Sequence, residues 1–314
     1  MSASRAEPTA NPAVATAAAP RQGRPKPWDR EEVLAWFFMV PGLLVLLLFM
    51  AYPFVLGITI SLTDKMIGFK DYAWVGLDNY RMLLSDPTFR MTVANTFIYS
   101  FVTVPFKLLL GLGLALVLNQ TFHGSRFVRA GLLLPWIVPT AISSLAWLML
   151  FDSVLSPISW VLKDWGLISQ NINFLGDRVN ALASLCVANI WRGIPFFAVS
   201  ILAGLQAVPQ ELHEASALDG ASSLGRFRAV TLPTIRPIVV ITTLFSIIWT
   251  FSDFQLIYVL TKGGPAGGTH VFGTYAYQTM GYSALGQAAA IALSMFPFLA
   301  VFAAVLLRYV RADD

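Results

Sequence analysis

Charged side chains are scarce in this sequence. Asp, Glu, Lys and Arg make up 12% of its 314 residues, about half the fraction usual in soluble domains. Hydrophobic residues make up 56%, and the mean hydropathy is +0.67. So few charges cannot cover the surface of a water-soluble protein of this size. The composition therefore predicts an integral membrane protein that lies in a lipid bilayer.

Three further absences exclude classes of mechanism. The chain has one cysteine, Cys186, so no intrachain disulfide can form, and its apolar neighbours indicate a packing role. No Gly-Lys dipeptide occurs, so the phosphate-binding pattern G-x-x-x-x-G-K-[ST] is missing. His213 and Glu214 begin the zinc-protease pattern H-E-x-x-H, but Ala217 stands at its fifth position. We expect no catalytic residue, no metal and no bound cofactor, and any ATPase must be a separate subunit.

The basic residues indicate topology, not nucleic-acid binding. The net charge is +4, but the basic residues are scattered between apolar runs instead of being gathered on one face, so no nucleic-acid partner is predicted. With the N-terminus inside, twelve Lys and Arg residues fall in cytoplasmic segments and seven in outer segments. Positive residues favour the cytoplasmic side. Both termini are therefore predicted to be cytoplasmic, in a multi-pass protein of the bacterial inner membrane.

The apolar runs predict an all-α fold with six transmembrane helices. About twenty helical residues cross a bilayer core of about 30 Å. Residues 1–30 are rich in Ala, Pro and Arg and lack an apolar period, which predicts a disordered cytoplasmic tail. Residues 31–314 are predicted to form one transmembrane domain. Its spans are expected near 34–60, 92–118, 128–151, 182–207, 237–260 and 285–307.

A polar segment at residues 208–236 separates the fourth and fifth predicted spans. Pro209 suits the first position of a short helix, and Gly220 suits the left-handed residue that ends it. A second short helix is predicted from Ser222, and Leu232-Pro233 is predicted to stop it. Small residues between these helices keep the surface shallow, so the backbone of another protein can approach closely.

This segment carries the motif E-A-S-A-L-D-G-A at 214–221, followed by F-x-x-x-x-L-P-x-x-x-P at 227–237. It resembles the cytoplasmic coupling motif of permease subunits in binding-protein-dependent ABC importers, particularly the sugar-type subfamily. Ser216 replaces the more usual alanine. The positions to which the resemblance assigns ATPase coupling are Glu214, Ala215, Ser216, Asp219, Gly220, Leu232 and Pro233.

The resemblance implies a transport subunit with several partners. These are a second homologous permease, two ATPase subunits that bind ATP and Mg²⁺, an extracytoplasmic substrate-binding protein and a sugar-like substrate. V-G-L-D-N-Y at 75–80 resembles the segment that sugar-type permeases carry after their first span. T-K-G-G-P-A-G-G-T at 261–269 resembles the first rather than the second of the two paired permeases.

Three charged residues fall well inside predicted spans, where charge is costly and usually faces protein or water: Lys107, Arg192 and Asp253. The helical rise places Arg192 and Asp253 at depths that differ by roughly 9 Å, within reach of an arginine side chain or a bridging sugar. One interpretation is an ion pair that only stabilises the bundle. For Lys107, a structural role is predicted, either as a snorkelling side chain or as a polar partner of a neighbouring helix.

The other interpretation is a pathway for a polyol, formed by W-R-G-I-P-F at 191–196 and S-I-I-W-T-F-S-D-F at 246–254. Aromatic rings stack on the C-H faces of sugars, while charged and amide groups bond their hydroxyls. The family resemblance implies sugar contacts from the same two helices. The matching positions are Arg192, Gly193, Phe196, Ser246, Trp249, Thr250 and Asp253.

Two other classes of protein remain as alternatives. A self-contained secondary transporter or channel for a small polar solute would usually contain inverted repeats, and no matching second half is visible here. A membrane-embedded enzyme would need paired His, Cys or acidic residues at ligand spacing inside the spans, and the sequence lacks them. Both alternatives predict activity from this chain alone, whereas the importer requires an ATPase and a second permease.

Overall fold

The computed structural model describes residues 31–120 and 123–311, and the predicted tail, residues 1–30, lies outside them. The described residues form α-helices with no β-strand beyond two isolated bridges, which confirms the all-α fold class. The helices are α1 Glu31–Leu46, α2 Tyr52–Ser61, α3 Asp78–Ser85, α4 Pro87–Leu118, α5 Ser125–Ile137, α6 Thr140–Leu150, α7 Pro157–Asp164, α8 Arg178–Gln206, α9 Gln210–Leu218, α10 Ser223–Arg226, α11 Leu232–Phe251, α12 Gln255–Leu260, α13 Phe272–Gly281, α14 Leu285–Leu293 and α15 Phe296–Arg311.

Five helical stretches in the described residues are long and apolar enough to cross a membrane, and a bent pair brings the number to six if it counts as one span. The bent pair is α5 and α6, whose axes meet at 91°. The five stretches are Val33–Ser61, Pro87–Leu118, Arg178–Gln206, Ser223–Leu260 and Leu285–Arg308.

The third predicted span, 128–151, is sharply bent between α5 and α6, at one of the prolines within it. Val138 is extended, with ψ of 127°, and Pro139 follows it with ψ of 134°. A residue before proline is pushed out of the helical region, and proline has no N–H with which to continue the ladder. The bend therefore follows from a proline that the hydropathy pattern alone does not reveal as a break.

A π-helical turn, Phe227–Thr231, joins α10 to α11, so the chain runs as one helical stretch through Leu232 and Pro233. The prediction that Leu232-Pro233 stops the helix is therefore wrong. A proline ring clashes with the carbonyl four residues earlier, and the wider π turn accommodates that ring without ending the helix. The π turn Leu47–Ala51 stands in the same relation to Pro53.

By their contacts, the described residues up to Val55 and those from Leu56 onward form two separate units. In the first unit, the described residues belong to α1, the π turn and the beginning of α2, and their large apolar side chains are exposed. In the second unit, α4, α8 and α11 pack around a buried cluster that includes Val104, Phe197, Ile201 and Ile235. Cys186 is buried in another cluster of this unit and forms no disulfide, in keeping with a packing role.

Candidate functional site

The predicted coupling motif forms a short helix and a tight turn. Glu214, Ala215 and Ser216 lie on α9, and Asp219 is the residue that follows its last turn. Gly220 has φ of +79°, the left-handed conformation expected for it. Pro209 directly precedes α9 as its N-cap, one position earlier than expected. Ser222 caps the next helix by accepting a hydrogen bond from Gly225 N at 3.2 Å.

Helix α9 has no buried side chain in this chain alone. Leu218 is 90% exposed, and Leu212 is also exposed. The Glu214 carboxylate accepts a hydrogen bond from Gln210 Nε2 at 2.9 Å within the same helix. Leu232 and Pro233 begin α11 beyond the π turn, and both are exposed. The motif therefore presents an uncovered helix whose apolar tip and acidic side chain are free to meet another protein.

The second predicted site forms a small cavity between α4, α5, α8 and α11, with a volume of about 60 Å³. Six of the seven predicted pathway residues line it, and the seventh, Asp253, lies behind its wall. The cavity is lined by Lys107, Trp136, Asn189, Arg192, Gly193, Phe196, Ser246, Trp249 and Thr250.

Arg192 and Asp253 form an ion pair, with Nη2 2.7 Å from Oδ2. The Asp253 carboxylate is almost fully buried and also accepts hydrogen bonds from Tyr99 Oη at 2.9 Å and Asn189 Nδ2 at 2.8 Å. These contacts tie the break after α11 to α4 and α8. Asp253 therefore holds the bundle together, as the first interpretation requires, and it also orients Arg192 at the cavity wall.

Lys107 lies inside the bundle and is 4% exposed. Its Nζ donates to Thr250 Oγ1 at 3.1 Å, and Thr250 Oγ1 in turn donates to Ser246 O at 2.6 Å. Of the two roles considered for Lys107, the contacts match a polar partner of the neighbouring helix rather than a side chain that snorkels to the interface. Gly193 makes room for it, because a Cβ there would lie 2.6 Å from Lys107 Cδ.

Aromatic rings cover the rest of the cavity. The ring centroids of Phe196 and Trp249 are 4.8 Å apart, and those of Trp136 and Phe196 are 5.8 Å apart. Trp136 and Trp249 are each about half exposed, so the cavity opens between them on the surface of this chain. An apolar rim around a polar floor suits a ligand with both C-H faces and polar groups.

Three residues of the site, Tyr99, Trp136 and Asn189, were not predicted from the sequence. Tyr99 and Asn189 are polar residues within apolar helices, and that signal was available. Trp136 lies on α5, just before the bend at Pro139. Asn189 Oδ1 is buried and has no hydrogen-bond partner within the described part of the chain. The same region contains no group of three His, Cys, Asp or Glu residues that could hold a metal ion.

Several proteins of known class are similar to this chain in sequence. The trehalose/maltose transport system permease protein MalF of Thermococcus litoralis is 34% identical over 282 residues, which cover 90% of this chain and 95% of that protein. The sulfoquinovosyl glycerol transport system permease protein SmoG of Agrobacterium fabrum is 33% identical over 294 residues, with 90% and 92% covered. The relatives are thus similar to this chain over nearly their full lengths.

A solved structure has the same fold. The bacterial ABC transporter that imports the acidic polysaccharide alginate contains a chain with a TM-score of 0.77 at 20% identity, with 89% of this chain and 95% of that chain covered. The profile of the family described as binding-protein-dependent transport system inner membrane component matches residues 92–311. The protein is therefore a multi-pass protein of the inner membrane, and it belongs to this family as a permease subunit of an ABC importer.

Proposed function

We propose that this permease subunit imports a sugar or a sugar derivative across the inner membrane. The observation that carries the proposal is the cavity, which combines a polar floor with a rim of aromatic rings. Relatives support it, because the names of MalF, of SmoG and of SugA from Mycobacterium tuberculosis refer to transport of trehalose/maltose, sulfoquinovosyl glycerol and trehalose.

The polar groups of the cavity match the hydrogen-bonding capacity of a sugar. Asn189 Oδ1 lacks a donor in the described part of this chain, and a sugar hydroxyl can supply one. The Arg192 side chain is one-fifth exposed at the wall, so its remaining N–H groups can donate to hydroxyl oxygens. Trp249 and Trp136 offer ring faces to the C-H face of a pyranose. Each part of a polyol thus finds a chemically suitable partner.

The cavity in this chain is too small to hold a sugar by itself. Its volume is about 60 Å³, whereas ligand pockets usually span about 300–1,000 Å³. Because the cavity opens between two half-exposed tryptophans, a second, homologous permease packed against this face would supply the remaining wall. The substrate is then enclosed between two permeases, with Arg192, Gly193, Phe196, Ser246, Trp249, Thr250 and Asp253 contributed or positioned by this one.

In this proposal, ATP hydrolysis is coupled to transport through α9 and the turn at Gly220. We propose that one of two ATPase subunits, which bind ATP and Mg²⁺, holds α9 in a surface cleft. The exposed Leu218 would enter the cleft, and Glu214 and Asp219 would meet basic or amide groups. The continuous helix from Ser223 to Phe251 connects this region to the cavity, since it carries Ser246, Trp249 and Thr250. Closure of the ATPase pair then reorients the cavity by moving rigid helices.

We propose that α9 and both termini lie on the cytoplasmic side, and the excess of Lys and Arg in the segments assigned to that side supports this orientation. The loops that contain α3, α7 and α13 are then on the outer side, where a substrate-binding protein would deliver the sugar.

Copurification and uptake test the proposal together. We expect the tagged chain, isolated from its native membrane, to bring with it an ATPase and a second permease. Proteoliposomes that contain this complex and its binding protein should accumulate a labelled sugar only when ATP is supplied on the cytoplasmic side. Accumulation by the purified chain without an ATPase would instead support a self-contained secondary transporter or channel and would refute the importer.

A further inference from the structure

The charges around the cavity are unbalanced. Two cations, Lys107 and Arg192, line it, and no lining residue carries a carboxylate. Asp253 lies behind the wall, where its carboxylate already accepts from Tyr99, Asn189 and Arg192. The described residues at the site therefore comprise two basic side chains that line the cavity and one acidic side chain that does not.

Lys107 is the cation without a counter-charge. The described residues contain two ion pairs, Arg81 with Asp78 and Arg192 with Asp253, and Lys107 belongs to neither. Its contact within this chain is the neutral Thr250 hydroxyl, which uses one of the three donors of an ammonium group. A buried charge without a partner is costly, and charged residues inside membrane spans are usually retained because they act on the transported species. The remaining donors are available to a ligand in the cavity.

We infer that the cavity takes a sugar derivative with a single negative charge, a uronate or a sulfonated sugar, rather than a neutral sugar. This inference rests on the proposed function. An oxyanion in the cavity would accept from Lys107 Nζ and from the free N–H groups of Arg192, and its charge would balance the net charge of the site. Charge-assisted hydrogen bonds are about twice as strong as neutral ones, which favours the anion over its neutral counterpart. The aromatic rim and Asn189 would still contact the sugar ring.

The test compares matched substrates in the complete assembly of both permeases, the ATPase and the binding protein in proteoliposomes. The probes are pairs of a neutral sugar and an anionic derivative with the same ring: glucose with glucuronate, galactose with galacturonate, and glucose with 6-deoxy-6-sulfoglucose. We expect ATP-dependent uptake of the acid from at least one pair to exceed uptake of its neutral partner about tenfold or more. We expect Lys107→Met to lower the ratio of acid uptake to neutral uptake in that pair by a similar factor.

Two controls separate charge recognition from folding. Lys163→Met removes an exposed lysine from α7, outside the cavity, and is expected to leave the preference for the acid unchanged. Lys107→Met should assemble normally, since removing a charge from a spanning helix does not oppose insertion. If Lys107→Met nevertheless fails to assemble, the preference of the wild-type assembly for the acid or the neutral sugar still tests the inference, because that measurement requires no substitution.

The possible failures are distinguishable. Uptake of neutral sugars in preference to their acids would overturn the inference and leave the proposed function intact. Uptake of an acid that is unchanged by Lys107→Met would overturn it as well. If no sugar of either kind is taken up in the presence of ATP, the proposed function itself fails, and this inference fails with it.

Discussion

Arg192 on α8 donates to Asp253 at 2.7 Å, and this pair joins a long spanning helix to the break that follows α11. The Asp253 side chain is 4% exposed, whereas the Arg192 side chain is 21% exposed. The Asp253 carboxylate therefore stabilises the fold, while part of the Arg192 guanidinium remains accessible from the cavity. One ion pair thus connects the stability of the bundle to the site that we propose for the substrate.

The first prediction separates these two roles. Asp253→Asn removes the counter-charge of Arg192, and we expect the free energy of unfolding to fall by about 3 kcal/mol, because breaking a buried pair leaves one charge uncompensated. The double variant Arg192→Met with Asp253→Asn should recover part of this loss. Thermal unfolding of the purified assembly measures both effects. If the losses of Asp253→Asn and of Arg192→Met, each measured alone, add up to the loss of the double variant, the pair has no energetic coupling.

The second prediction concerns the aromatic rim. Trp249→Ala removes a ring that is half exposed and lies against Phe196. We expect the KM of ATP-dependent uptake to rise about three- to tenfold, because a stacking contact is lost, with little change in the amount of assembled complex. Trp160→Ala on α7 is the control, since that ring is also exposed but lies outside the cavity. A change confined to assembly would contradict a substrate contact.

The third prediction tests the turn after α9. Gly220 has φ of +79°, and the space where its Cβ would stand is open, so a substitution is opposed by backbone conformation and not by a clash. Gly220→Val should cost about 1–2 kcal/mol or more and abolish uptake while membrane insertion persists. Gly220→Asn should retain most uptake, because asparagine tolerates the left-handed region. Equal uptake by both variants would remove the coupling role of the turn.

The fourth prediction is a pH dependence that originates outside the spans. His270 is buried in the segment between α12 and α13, where Nδ1 lies 3.2 Å from Thr274 Oγ1. Burial lowers the pKa of His270 from its ordinary value of 6.5. Below pH 6.5 the unfolded chain therefore binds a proton that the folded chain resists. The contribution of His270 to stability is therefore fully present above pH 6.5, and it is lost as the pH falls toward the pKa of His270 in the folded protein.

The measurement is the unfolding temperature of the assembly between about pH 5 and 8. We expect His270→Gln to flatten the decline on the acidic side by at most about 1.4 kcal/mol per pH unit. His123→Gln, at an exposed histidine, is the matched control substitution. If stability declines with the same slope in the wild type, His270→Gln and His123→Gln, His270 does not titrate in this range.

Much of this protein was predictable from sequence because its strongest signals are local. Long apolar runs specify spanning helices wherever they stand, and the order of residues from Glu214 to Gly220 specifies a short helix that ends in a left-handed turn. The charges within the spans also pointed to a polar site, and Arg192 and Asp253 were expected to be within reach of each other. Their roles in transport remain predictions.

The structure decided how the prolines act within the spans and which distant polar groups meet. Val138 and Pro139 bend the third span by 91°, and the π turn before Pro233 keeps a helix continuous where proline was expected to end it. Hydropathy does not distinguish these outcomes, because both follow from backbone geometry. Packing alone placed Tyr99 and Asn189 on Asp253 and left Lys107 beside a cavity without a counter-charge. Sequence determined which segments are helical and polar, and only packing determined which polar groups neutralise one another.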